Sequence, residues 1–492
     1  MTTPPLSSIP SSPPRPRYAL LRPLYHPKTR ELLDPGALCL YFAGPNSHTG
    51  EDILELQLHG GLAIVRAVLA AIPTSSRSRV IRYAEAGEFT RRAFYNDRLL
   101  LPEIEALGET LDACTEEQRR RAVRGSGAVL AKRYEEWRGQ LVAARGELEA
   151  LIDFSEDQHF EESNAQLVKG VALGVTALRE ALRMHASNAA RGELLRAGVS
   201  LSLVGAPNAG KSSLLNRVVG REAAIVSDEA GTTRDVVDLA VDVGGFMVVL
   251  GDTAGLRVAD GGALVGKIEE EGIRRARERA MDAHVVIAVL DVVGGDPPSI
   301  RFSDELVQLI NQVEEVDKQV VIAINKTDLL PPSSNGSLPM DLLRQINFAF
   351  PSVKESRIFG ISCLPAAAGS ERGDGIQALL EGLTEVFKEL TSPDYGEGGI
   401  GMVESIGATE RQRWLTEACI VFLDDFLEMV NQSTGGKVAE GEDDEGDLDV
   451  VVAAEQLRGA AECLGRITGR GEMVGDVEEV LGVVFEKFCV GK

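Results

Sequence analysis

Cysteine is scarce in this chain, and so are long apolar runs and basic residues. Six cysteines are spread over 492 residues (Cys39, Cys114, Cys363, Cys419, Cys463 and Cys489), with no CxxC pair and no short regular spacing. That argues against a structural zinc site and against a disulfide framework, and it fits a reducing compartment. No run approaches the roughly 20 apolar residues that cross a bilayer, so no membrane span is expected. Lys and Arg number 51 against 75 Asp and Glu, a formal charge of −24. Such a balance repels polyphosphate backbones at long range, so a nucleic-acid partner requires a local basic patch or a helper protein. Acids are missing from the first 30 residues, which hold five Arg and Lys, a bias that suits an organelle transit peptide. Pro4, Pro5, Pro10, Pro13, Pro14 and Pro16 oppose the amphipathic helix of such a peptide, and a disordered tail over residues 1–16 is the other reading.

The chain has 44% apolar and 26% charged residues and exceeds the size at which one core stops growing, so two or three globular domains are expected. Residues 17–98 mix β-rich runs such as 37–42 with Gly/Pro/Asn turns and predict a small α+β domain. Residues 99–197 turn helical, with Ile104, Leu107 and Leu111 on one stripe and Trp137, Leu141, Leu148 and Leu151 on another. Over 198–390, β-rich runs (199–204, 246–250, 285–290, 320–324) alternate with helical stretches, the pattern of a doubly wound parallel sheet. Helical spacing resumes over 391–492 at Trp414, Leu415, Ala418, Cys419, Phe422, Phe426 and Met429. The fold class expected is thus an α/β domain inserted into an all-α helical bundle, preceded by the small α+β domain. Residues 435–449 hold seven acids and no base after Lys437, the composition of a solvated, disordered loop.

The chemistry is concentrated in the inserted domain. Residues 205–212, GAPNAGKS, form a complete GxxxxGK[ST] loop between a β-run and a helical stretch. In such a loop glycines let backbone N–H groups, here around Asn208, Ala209, Gly210 and Ser213, wrap phosphates; Lys211 supplies a point charge and Ser212 a hydroxyl for Mg²⁺. Asp252-Thr253-Ala254-Gly255 follows the apolar run 246–250, where an aspartate can hold a metal-bound water and a glycine N–H can sense a γ-phosphate. Asn325-Lys326-Thr327-Asp328 ends another apolar run; an aspartate there accepts from the two donors that guanine has and adenine lacks. Ser362-Cys363-Leu364 stands where these GTPases carry a Ser-Ala-Lys loop around guanine O6. GTP is the ligand this order of motifs predicts, and the inserted domain is thus expected to be an α/β P-loop GTPase domain. Leu256 occupies the place where a Ras-type enzyme has its water-orienting glutamine, and a hydrophobic side chain cannot orient water.

Asn208, together with Gly231-Thr232-Thr233-Arg234-Asp235, resembles the potassium-dependent translation-factor-related GTPases. The resemblance implies K⁺ held by the Asn208 side chain and by the backbone near Ser227, Glu229 and Thr232, with Thr233 completing Mg²⁺; a turn-forming asparagine is the plain alternative. The whole chain from about residue 17 resembles one family, MnmE or TrmE, the tRNA wobble-uridine modification GTPases of bacteria and mitochondria. The residues that carry it are 44–52 (GPNSHTGED), 87–90 (GEFT), 93–97 (AFYND), 205–216, 223–235 and the terminal Cys489-Val490-Gly491-Lys492. It implies Glu269 as the catalytic residue that orients water, beside Glu270 and Glu271, and a homodimer working with an FAD-dependent MnmG-type protein on tRNA. It also implies a 5-formyltetrahydrofolate-type donor held at Glu55, Arg98 and Lys492, and a mitochondrial location. Residues 1–16 stand where the family has a glycine-rich strand, so a truncated N-terminal domain is expected. The rivals are a ribosome-assembly GTPase of the Era or Der type and a non-catalytic nucleotide-switched scaffold.

Overall fold

The computed structural model describes residues 14–75, 80–154, 164–222, 239–251, 274, 277–295, 298–330, 338–364, 374–393, 404–434 and 449–470. Contacts divide the chain into two units, one of residues 1–108, 126–179 and 418–492, the other of 109–125 and 180–417. No described helix is long and apolar enough to cross a membrane.

In the first unit β1 (Leu20–Tyr25), β2 (Leu32–Phe42) and β3 (Ile53–Gln57) form an antiparallel sheet in that order. Asp34, buried on β2, accepts from the backbone N–H of Gly36 and His59 and contacts His59 Nδ1 at 2.9 Å, which pulls its carboxyl below the usual range. The segments 44–52 and 87–97 fold onto each other. Gly50 (φ +77) has Asn96 where a Cβ would sit, Asn96 Nδ2 donates to Thr49 O, and Arg92 pairs with both Glu51 and Glu88. Helix Ala128–Phe154 buries Leu130, Tyr134, Trp137, Leu141, Leu148 and Leu151, spaced by three, four or seven residues. It packs on Val450–Thr468, which buries Ala453, Leu457, Ala460, Leu464 and Ile467. Asp449 caps that second helix by accepting from Val451 and Val452 N–H.

The second unit holds the strands β4 (Val199–Val204), β5 (Leu239–Val243), β6 (Phe246–Leu250), β7 (Val285–Val293), β8 (Ser299–Arg301), β9 (Gln319–Asn325) and β10 (Ile358–Gly360). They form a mixed sheet in the order β10-β9-β7-β4-β6-β5, with β8 beside β7. Five strands run parallel, as the periodicity predicts, but β5 and β8 are antiparallel, which corrects the all-parallel expectation. The cause at β5 is local. Gly244 and Gly245, with φ of +60° and +89°, make the two-residue turn that folds β5 back on β6. Along β7 alternate residues serve opposite faces. Val285, Ile287 and Val289 pack with Leu379, Leu383 and Phe387 of helix Ile376–Thr391; Val286, Ala288 and Leu290 pack with Ile310 and Ile346. Because the order reverses at β4, the crevice at the carboxyl ends of β4 and its neighbours is where such a sheet binds ligands.

Two predicted stripes need adjustment. Leu111 is 49% and Trp414 58% exposed; helix Glu410–Thr434 buries Leu415, Cys419, Leu423 and Phe426 instead, a face from which Trp414 points away.

In the second unit, helix Glu116–Gly125 and residues 404–408 approach at backbone distance. A Cβ on Gly125 would lie 2.5 Å from Gly407 O, and one on Gly192, in helix Asn164–Ala197, 2.0 Å from Ile406 O. Buried Arg121 donates to Glu109 and to Ala408 O, both at 2.6 Å. In an open helix interior Gly→Ala stabilises by about 1 kcal/mol, but here the sign reverses. Gly192→Ala is expected to lose about 1–3 kcal/mol, as overpacking does, measured as a lower urea midpoint with unchanged slope; a midpoint at or above the parent's contradicts the close approach.

Candidate nucleotide-binding site

β4 ends at Val204 and helix Lys211–Glu222 begins seven residues later. The loop between them is shaped by two glycines. At Gly205 (φ +153) a Cβ would fall 2.3 Å from Val289 O on β7, and at Gly210 (φ +102) 2.0 Å from Asn325 Nδ2 on β9. No side chain fits at either place, so the loop lies against two strand ends and offers its backbone to a ligand. Asn208 is exposed in the left-handed region (φ +62), which asparagine tolerates. Lys211 Nζ donates to Gly205 O and Ala206 O at 2.7 and 2.9 Å, and burial lowers its pKa. An ammonium resting on carbonyls at the mouth of a glycine loop is a cation with its strongest acceptors still to come. Ser212 is half-buried in the first turn of the helix, beside exposed Ser213.

Asn325 joins this loop to the other end of the crevice. Buried at the end of β9, it donates from Nδ2 to Ala209 O at 2.8 Å and accepts at Oδ1 from Cys363 N–H at 3.3 Å. Lys326 follows in the left-handed region (φ +65), and its Nζ lies 2.9 Å from Asp291 Oδ2 at the end of β7. Thr327 donates through both N–H and Oγ1 to Ile361 O, and Ile361 N–H in turn donates to Ile324 O. Asp328 is exposed and accepts from Ser362 Oγ at 2.7 Å. A carboxylate oriented in this way presents a fixed pair of acceptors to the edge of a base.

A second brace lies behind residues 362–364. Arg217, on helix Lys211–Glu222, pairs with Asp374 Oδ2. Asp374 accepts from Ile376 N–H at Oδ1 and from Ser362 N–H at its carbonyl. The phosphate-loop helix and the 362–364 loop are thereby tied to one residue. Arg217, Asp374 and Asp291 were not singled out by the sequence reading. Asp291 is the one that left a signal, being the sole charged residue of the apolar run Val285–Val293.

The structure therefore brings together Asn208, Ala209, Gly210, Lys211, Ser212 and Ser213 with Asn325, Lys326, Asp328, Ser362 and Cys363 along one crevice; Leu364 closes the loop, 62% exposed. Ser227, Glu229, Thr232, Thr233, Asp252, Thr253, Ala254, Gly255, Leu256, Glu269 and Lys492 lie outside the described residues. In the first unit Glu55 and Arg98 are both exposed, with no ion pair or hydrogen bond joining them.

Family models match nearly the whole chain, the GTP-binding protein TrmE N-terminus over residues 5–98 and the MnmE helical domain over residues 101–489. Among curated relatives, a zebrafish (Danio rerio) protein named 5-taurinomethyluridine-[tRNA] synthase subunit GTPB3, mitochondrial, is 38% identical over 97% of this chain and 86% of its own length. The bacterial tRNA modification GTPase MnmE of Parvibaculum lavamentivorans is 37% identical over 97% of this chain and 91% of that one. The fission-yeast (Schizosaccharomyces pombe) tRNA modification GTPase mss1, mitochondrial, is 34% identical over 99% and 89%.

Cys363 gives the site a chemical handle. Burial, with Asp374 and Asp328 adding and Arg217 opposing, pushes its thiol up to about 11. The thiolate fraction at neutral pH is therefore very small and rises with pH until about 11. Iodoacetamide at pH 8 is expected to modify exposed Cys114 well before Cys363, and the Cys363 rate to rise about tenfold from pH 8 to 9. Peptide mass analysis finding equal rates at pH 8 contradicts the site's electrostatics.

Proposed function

Because the chain belongs to the MnmE (TrmE) family, we propose that it is a GTP hydrolase acting in C5 modification of the tRNA wobble uridine, with residues 205–213 holding the phosphates and 325–328 with 362–364 the base. The observation that carries this reading is the two-way hydrogen bonding of Asn325, which places the loop that suits phosphates and the loop that suits guanine in one crevice.

Lys211 exchanges the carbonyls of Gly205 and Ala206 for phosphate oxygens, a stronger partnership for a half-buried ammonium. Asp328, held by Ser362, accepts from the two guanine donors. The cradle left by Gly205 and Gly210 and the hydroxyl of Ser212 at the helix start fit a Mg²⁺-bound triphosphate, and Thr233 would complete the metal's shell. Held there, the metal would supply charge neutralisation to the phosphate oxygens. Asn208, exposed at the lip of the loop, supplies a side-chain oxygen for K⁺, with the backbone of Ser227, Glu229 and Thr232 sharing the ion and Glu269 orienting water. Asp252 to Gly255 form the second switch.

In the same reading the protein is a homodimer, joins an FAD-dependent MnmG-type protein that meets most of the tRNA, and acts in mitochondria. The family's 5-formyltetrahydrofolate-type donor is assigned to Glu55, Arg98 and Lys492. Glu55 and Arg98 are both exposed and are not bonded to each other. Single-turnover and steady-state GTP hydrolysis in KCl and in NaCl tests the site. KCl is expected to raise turnover at least about tenfold, below the roughly hundredfold or more that one charge-stabilising donor supplies, and Asn208→Ala to abolish the difference. Equal turnover in both salts overturns the potassium assignment.

A further inference from the structure

Asp291 is 5% exposed and stands in register with Asn325 on the neighbouring parallel strand. Its Oδ2 lies 2.9 Å from Lys326 Nζ, while Oδ1 has no hydrogen-bond partner among the described residues. A buried carboxylate keeps its charge only beside a compensating cation, and Lys326 is the cation placed there. The constraint acts on the lysine as well. Its side chain is 36% exposed against 7% for Asp291, so among the described residues the pair is the polar contact that holds the end of the flexible four-carbon stem. Lys326 is also the residue between Asn325, which ties the two loops, and Asp328.

We infer that Asp291 is a positioning residue for base recognition: it anchors the Lys326 ammonium at the end of β7, so that the methylene stem forms a fixed wall of the base-binding crevice. The inference rests on the reading that residues 325–328 bind guanine. Asp291 reaches the ligand through Lys326, so its loss should weaken every purine nucleotide that uses this wall by one common factor. Discrimination at the base edge, which belongs to Asp328, should be unaffected.

The test uses the full-length protein and equilibrium binding of fluorescent GDP and IDP to four forms: parent, Asp291→Asn, Lys326→Met and the double variant. Asp291→Asn keeps the shape and removes the charge. It is expected to weaken GDP and IDP equally, by about five- to twentyfold, to raise KM for GTP by a similar factor and to leave kcat within twofold, the pattern of lost uniform binding. In the Lys326→Met background it should cause no further weakening, since paired groups act as one. Unchanged affinity in Asp291→Asn, or the same loss in both backgrounds, overturns the inference. If Asp291→Asn does not fold, as judged by near-ultraviolet circular dichroism, Asp291→Ser takes its place in the same cycle. Asp328→Asn serves as the control. If it fails to shift preference from GDP to XDP, the guanine reading itself has failed; if it shifts preference while Asp291→Asn leaves binding unchanged, only the role of Asp291 is lost.

Discussion

The nucleotide crevice depends on one buried amide. Asn325 has a donor and an acceptor that point to different loops, and both are used, on Ala209 O and on Cys363 N–H. A buried amide left unpaired costs about 1–3 kcal/mol per lost bond, so the two loops and the end of β9 hold one another in place. The glycines follow from the same constraint. Gly210 has no room for a Cβ because the Asn325 amide occupies that space, and Gly205 has none because the Val289 carbonyl does. The phosphate loop is therefore less a flexible glycine tract than a backbone pressed against two strand ends.

Around this bridge charges pair between segments far apart in the chain. Lys326 meets Asp291 from the adjoining strand, and Arg217 meets Asp374 behind the 362–364 loop. The first pair ties a residue of a recognisable motif, Lys326, to one outside any motif; in the second both residues lie outside the motifs. The Cys363 thiol, raised to about 11 by its surroundings, stands beside these pairs and stays neutral at physiological pH.

The sequence made the phosphate and base loops legible because their chemistry is local: GxxxxGKS and NKTD each need particular residue types at fixed spacing. The same holds for β7 and β9, whose apolar runs are buried on both faces, and for β4 and β6, which mix buried with half-buried residues. The pairs were not legible. Lys326 and Asp291 are 35 residues apart and Arg217 and Asp374 157 apart, and no spacing rule links charges that only the sheet order brings together. The antiparallel β5 was missed although Gly244-Gly245 between two apolar runs is a hairpin signal. Trp414 was placed on the apolar face of its helix because spacing alone cannot tell one edge of a broad stripe from solvent. Glu269 and the two switch segments fall outside the described residues, and their roles rest on family resemblance.

Nucleotide recognition and the biological task rest on different observations. The crevice accounts for GTP, while the link to tRNA comes from family membership across residues 5–98 and 101–489. A formal charge of −24 suits the proposal that a partner protein carries most of the tRNA contact. The most direct measurement is mass analysis of tRNA nucleosides from cells lacking the gene, complemented with the parent or with Asn325→Ala. The account predicts loss of the C5-substituted wobble uridines on deletion, their return with the parent and their continued absence with Asn325→Ala. Wobble uridines unchanged by the deletion would contradict it.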